Sequence, residues 1–171
     1  MKQITTICAF LFLSQLVIGQ QNTEDKTEIT KLVTTFTDCL VKKDSITFYS
    51  LFHDDPIVWV GVFKEKTYQD ILKKSTHKDN YFTSTYKGFF RSIAGMSGMG
   101  GAQEKFRNVN IIADESIASV IFDYSFWKNN EKINWGKESW GLVKINGKWK
   151  ISSVIFSLEF VSIAPEPEIA K

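Results

Sequence analysis

Asn134-Trp135-Gly136-Lys137-Glu138-Ser139-Trp140-Gly141-Leu142-Val143-Lys144-Ile145-Asn146-Gly147-Lys148-Trp149-Lys150-Ile151 is the stretch whose reading decides the fold. Asn146-Gly147 separates two runs rich in Trp, Ile and Val, and Asn-Gly is the strongest short hairpin signal a sequence carries. Alternation puts Asn134, Glu138, Trp140 and Leu142 on one face and Trp135 and Ser139 on the other. On the C-terminal side, Lys148 to Ile163 closes the sheet. On the N-terminal side, Ser116 to Lys128 precedes an Asn129-Asn130 turn, and Gln103 to Ala113 ends near Asp114-Glu115. Long strands with tight turns predict an antiparallel meander, and long twisted strands with bulges curl.

The first part of the chain has a different period. Ile29, Leu32, Val33, Phe36 and Leu40 recur at helical spacing within Thr23 to Lys43, with Thr23 placed to cap. A short helix through Phe48, Leu51 and Phe52 ends before Pro56, and Ile57 to Phe63 reads as a buried strand. Thr67 and Asp70 resemble a capping box for a helix to Lys74, Asn80 to Phe90 reads as extended, and Gly95 to Gly101 as a connector. Helices first and strands later give an α+β fold. N-terminal helices pack on a strongly curved antiparallel sheet of four to six strands, a cone-shaped α+β barrel.

Lys2 followed by the apolar run Ile4 to Ile18 predicts a signal peptide over residues 1–19, cleaved near Gly19. The polar Gln20 to Asp25 follows at once, so the mature chain is expected to have no membrane span and to be exported, periplasmic or extracellular. Residues 20–163 are expected to form one domain, and the Pro-Glu segment 164–171 a solvated tail. With 21 basic and 19 acidic residues there is no electrostatic footprint for nucleic acid. Cys39 would be the one cysteine of the mature chain, which leaves stability to packing in a sequence that carries 14 Phe, two of them (Phe10 and Phe12) in the expected signal peptide, and 5 Trp.

Gly136 to Lys144, Gly147 to Ile151, the short second helix with Leu51-Phe52-His53-Asp54-Asp55, and the strand with Trp59 resemble the nuclear transport factor 2-like superfamily in its SnoaL-like branch. The resemblance covers nearly the whole mature chain and implies the cone-shaped fold. The superfamily holds isomerases, cyclases, dehydratases, epoxide hydrolases and non-catalytic binders, so the fold leaves the chemistry open. Ketosteroid-isomerising members place a carboxylate base roughly where Val60 stands and a tyrosine on the first helix. This chain has neither. The resemblance also implies a homodimer through the outer face of the sheet.

No complete catalytic constellation stands out. Among carboxylates, Asp123 sits in an apolar strand, where it is either desolvated with a raised pKa or a rim residue paired with Lys or Arg across the sheet, and Glu138 lies on the Trp140 face. Arg91 and Arg107 would be their partners or hold an anion. Trp59, Tyr124, Trp127, Trp140 and Ser157 are the expected ligand-binding residues, in an aromatic wall with a few polar groups. On the last strand, alternation places Trp149, Ile151, Ser153, Ile155, Ser157 and Glu159 on one face, an assignment that a single bulge would invert. His53 and His77 lack companions at metal-ligand spacing, and no metal or cofactor is expected. The expected function is an exported small-molecule-binding domain for a small hydrophobic or acidic ligand, with no assignable catalysis. The alternatives are a lyase, isomerase or hydrolase using carboxylate acid/base chemistry, and a dimeric interaction module.

Overall fold

The computed structural model describes residues 4–54, 56–76, 78–96 and 101–168, with side chains from Thr23 onward. The expected signal peptide, with its cleavage near Gly19, thus falls outside the described side chains, as do Asp55, His77 and most of the Gly95–Gly101 connector. The elements are α1 (Ile4–Lys42), α2 (Ser45–Ser50), β1 (Val58–Phe63), α3 (Glu65–Lys74), β2 (Tyr81–Thr83), α4 (Tyr86–Ala94), β3 (Ala102–Ala113), β4 (Ile117–Lys128), β5 (Glu131–Ile145) and β6 (Lys148–Phe160). Among the described residues no helix is long and apolar enough to cross a membrane.

The fold is α+β, with the helices packed on a curved six-stranded sheet in the order β2-β1-β6-β5-β4-β3. Two refinements follow. The sheet is mixed, because β1 runs parallel to β6 from Val58↔Ser153 to Phe63↔Leu158. A strand from the helical half reaches the sheet through a long crossover, which permits the parallel direction that hairpin-linked strands cannot take. The sheet also stays open, with β2 and β3 as its edges, so the cone is not a closed barrel. Irregularities at Arg107/Asn110, Phe126/Trp127 and Gly141/Leu142 supply the curl.

The Asn146-Gly147 turn forms as its residue types require, with φ of 50° and 74°. The stripe of α1 is buried as its period predicts: Ile29, Leu32, Val33, Phe36 and Leu40 all lie in the core, with Cys39 beside them. Phe36 meets Trp140 at 4.7 Å between ring centroids, and Trp140 meets Phe122 edge-on at 5.0 Å. Each such burial contributes about 1.5–3 kcal/mol, and the edge-on geometry adds a little more.

Four local expectations are corrected. Thr23 does not cap α1, which runs through it from Ile4. Thr67 lies inside α3 rather than capping it; its hydroxyl donates to Glu159 at 2.5 Å and accepts from the Phe160 N–H at 3.0 Å, tying α3 to the end of β6. Within Asn80 to Phe90 only Tyr81–Thr83 is extended. Thr85 then caps α4, its hydroxyl accepting from the Gly88 N–H at 3.0 Å, and local capping overrides the β-preference of Tyr and Phe. The start of the C-terminal segment is docked rather than solvated: Ala164 is buried, its carbonyl accepts from the Trp135 indole at 3.0 Å, and Glu166 pairs with Arg107 and with Lys132.

Candidate functional site

Between α4 and the inner face of the sheet lies a cavity of about 380 Å³. Its walls are Trp59 from β1, Phe82 from β2, Phe89 and Ile93 from α4, Phe126 from β4, and Phe156 and Leu158 from β6. Ser84 and Ser92, both exposed, stand at its mouth. The polar groups inside are Glu104 from β3, Tyr124 from β4, and Asn134 and Glu138 from β5. The volume falls in the range of small-molecule pockets, and an apolar wall with a few converging polar groups is their usual make-up. Glu104 also borders a groove between α1 and β3 lined by Thr30, Thr34 and Thr37.

Each polar group reaches the cavity by strand alternation. On β5, Asn134, Gly136, Glu138, Trp140 and Leu142 all point inward. Gly136 is a steric requirement: a Cβ there would meet the Ser157 carbonyl oxygen at 1.9 Å and the Tyr124 ring at 2.9 Å. The space lets the Tyr124 hydroxyl donate to that carbonyl at 3.0 Å.

The electrostatics of the inner face are those of acids out of water. Burial pushes the Glu138 carboxyl up to about 7, while the Trp140 indole, donating to its Oε1 at 2.6 Å, pulls the other way. Glu104 is pushed well above the usual carboxylate range, first by burial and then by the neighbouring Glu138 charge. Burial, then Glu138 and Glu104, also raise the Tyr124 phenol. Glu104 Oε2 and Asn134 Oδ1 are buried without a hydrogen-bond partner among the described residues. A buried acceptor left unmade costs about 1–3 kcal/mol, so both favour a donor arriving from outside.

Of the sequence candidates, Glu138, Tyr124 and Trp59 meet in the cavity. Trp140 lies beneath it, fully buried, and orients Glu138 through its N–H. Asp123 is on the outer face, where hydrogen bonds from Lys137 at 2.6 Å and Asn108 at 2.7 Å hold its carboxyl below the usual range. Of the two readings of Asp123, the pairing across the sheet is the one formed, and the raised pKa of the other gives way to a lowered one, because alternation turns Asp123 away from the apolar side that Tyr124 occupies. Arg107 is also outside, paired with Glu166, and Arg91 is exposed in the last turn of α4. Trp127 is held by Ser125 Oγ at 2.9 Å with Lys105 Nζ 3.8 Å over its ring, away from the cavity.

The Ser157 side chain points outward to the Lys137 backbone N–H, which donates to its Oγ at 3.0 Å. The bulge at Gly141/Leu142 is the reason: Leu142 pairs with Ile151 but Gly141 with Ser153, so Val154, Phe156 and Leu158 turn inward in place of Ser153, Ile155 and Ser157. Glu159 is buried on the other side, under Thr67. Glu104 and Asn134 are the residues that sequence reasoning missed. The signal for Glu104 is its alternation with Ala102 and Phe106 on β3, and that for Asn134 is its place on the Glu138 face of β5. Val60 is on the outer face beside Ile155; the inward positions of β1 are Trp59 and Gly61, so no carboxylate enters the cavity from that strand.

No protein-family model and no curated protein matches the chain by sequence. Solved structures do match it in shape. A protein of unknown function from Pseudomonas putida, described as NTF2-like, superposes with a TM-score of 0.60 at 13% identity, over 87% of this chain and 98% of its own. LinA gives 0.58 at 10% identity, over 83% and 90%. A Nostoc punctiforme protein described as having a cystatin-like fold gives 0.53 at 15% identity, over 79% and 91%. The fold is nuclear transport factor 2-like. At these identities the likeness speaks for the nuclear transport factor 2-like fold and leaves the contents of the cavity to its own residues.

Proposed function

We propose that this chain is an exported small-molecule-binding domain of the SnoaL-like type, its ligand held in the cavity between α4 and the sheet. The observation that carries the reading is the pair of sealed, unpartnered acceptors, Glu104 Oε2 and Asn134 Oδ1, in an otherwise aromatic wall. The test is a fragment screen by ligand-observed NMR with thermal shift. A binder at 100 times its dissociation constant adds about 2.7 kcal/mol of stability. Ser92→Trp, which fills the mouth from an exposed helix position, is expected to abolish both signals. A screen without binders, or binding indifferent to that plug, sinks the reading.

One observation favours a second reading, a lyase, isomerase or hydrolase acting on a small hydrophobic substrate. Glu138, pushed to about 7 beside a second carboxyl, is matched to proton transfer at neutral pH. Solvent-deuterium exchange at the carbon next to the carbonyl of small ketones is then accelerated by the protein, with a pH profile breaking near 7 and loss in Glu138→Gln. Full retention of exchange in that variant excludes the role.

Export is supported by the apolar run Ile4 to Ile18 after Lys2, and N-terminal sequencing of the secreted protein tests it. Homodimerisation through the sheet is supported by exposed Ile117, Ile121 and Ile155 on its outer face. A monomeric mass by light scattering at high concentration rejects it.

A further inference from the structure

Resting on the binding-domain reading, the chemistry of the cavity wall narrows the ligand class. Its polar lining is two carboxylates, an amide, a phenol and the serines of the mouth, and none of the described lining residues is lysine, arginine or histidine. Glu104 and Asn134 occupy one row of the sheet on either side of Phe126. Two strand spacings separate them, about 10 Å between backbones. Both residues are 9% exposed, and each presents an acceptor that has no donor. A group seated there must donate at least two hydrogen bonds, ask for no donor in return and rest on an aromatic face. A primary ammonium has three donors and no acceptor, and a ring face attracts a cation.

We propose that the cavity recognises an organic ammonium: a primary amine on a compact aromatic or branched apolar body. Its nitrogen sits over Phe126 between Glu104 and Asn134, and its body lies against Trp59, Phe89 and Phe156. The cation also resolves an electrostatic conflict. The titratable groups facing Glu138 are Glu104 from β3 and Tyr124 from β4, all of them acids. Its own strand offers the Trp140 N–H, and β6 offers Phe156. Without a cation, retained protons neutralise this cluster; an ammonium takes their place. Binding therefore releases protons near neutral pH, and affinity rises as the carboxyls ionise while the amine stays charged. An anion finds no cation in this lining and is repelled by any carboxyl that ionises, so of the hydrophobic or acidic ligand expected from sequence the acidic kind gives way to a basic one.

The experiment is isothermal titration of the full chain with benzylamine, 2-phenylethylamine and 4-phenylbutylamine, each beside the alcohol and the carboxylate of the same skeleton. At least one amine is expected to bind about tenfold or more tighter than its alcohol, with the carboxylate silent and protons released in buffers of different ionisation enthalpy. Glu104→Gln is expected to weaken the amine about 10- to 100-fold and to leave the alcohol within about twofold. An alcohol or carboxylate that binds as tightly as its amine overturns the ammonium inference and leaves the binding-domain reading standing. Silence from every member overturns both. Should Glu104→Gln fail to fold by circular dichroism, Asn134→Asp adds a charge at the same end of the cavity. It must then tighten the amine, and weaker binding overturns the inference.

Discussion

Asp123 on the outer face and Glu138 on the inner face occupy neighbouring rungs of the same ladder, Asp123 opposite Lys137 and Phe122 opposite Glu138. One residue of register separates them, and their chemistry is opposite. Outside, a lysine and an asparagine donate directly to Asp123 and hold it ionised. Inside, no cation among the described residues reaches Glu138, the Trp140 indole donates to it, and burial holds its proton on up to about 7. The pleat, rather than position along the chain, sorts acids into ionised and proton-retaining ones.

The largest expected break in this contrast comes from Gly136, the inward residue that gives Tyr124 its room. Gly136→Ala drives a methyl group into the Ser157 carbonyl and should cost about 3 kcal/mol or more in chemical denaturation. A loss below about 1 kcal/mol would show that the ladder yields there. Next is the pH dependence of stability. The folded state holds the Glu138 proton more tightly than the unfolded chain does, so stability is full below about 4.5 and falls as pH rises through about 7. That single group accounts for about 3 kcal/mol. Glu104 adds a fall of the same sign, so Glu138→Gln should shallow the slope and the double Gln variant should remove it. Urea midpoints from acid to mildly alkaline solution check this, and an unchanged slope in the double variant rules it out. Third, Trp140→Phe keeps a ring in the core but deprives Glu138 of its donor. The expected cost is about 2 kcal/mol, with the Glu138 titration moving above about 7 in carbon-13 NMR.

The strands, the Asn-Gly hairpin and the α1 stripe were legible because they rest on local rules: a period of two, a period of 3.6 and a turn that needs positive φ. The inner face of β5 followed from the same alternation, and Glu138 and Tyr124 came with it. Three things were not legible. The bulge opposite Gly141 exchanges Ser157 for Phe156 without any residue in β6 announcing it, because bulges are settled by how neighbouring strands meet. Helix α4 was masked by aromatic residues whose strand preference loses to the Thr85 cap and to packing of Phe89, Phe90 and Ile93. Glu104 was hidden because a lone glutamate on an edge strand ordinarily faces water. Only the helices crossing above it make its side of β3 an interior.

The outer face gives the smallest and most discriminating effect. Asp123→Asn removes a carboxylate whose ion pair with Lys137 stays in contact with water, so the loss at neutral pH should be below about 1 kcal/mol. The sign of its pH dependence opposes that of Glu138. A carboxyl held below its usual range stabilises when ionised, so the wild-type advantage is present above about 3.8 and disappears as pH falls through the lowered value. Paired denaturation curves of Asp123→Asn and Glu138→Gln should therefore diverge from wild type at opposite ends of the pH range. Asp123→Asn should also leave amine binding within about twofold, since its carboxylate faces away from the cavity. If instead Asp123→Asn alone shifts the neutral-pH limb, the two faces communicate through the β4–β5 ladder, and the division of labour between them fails.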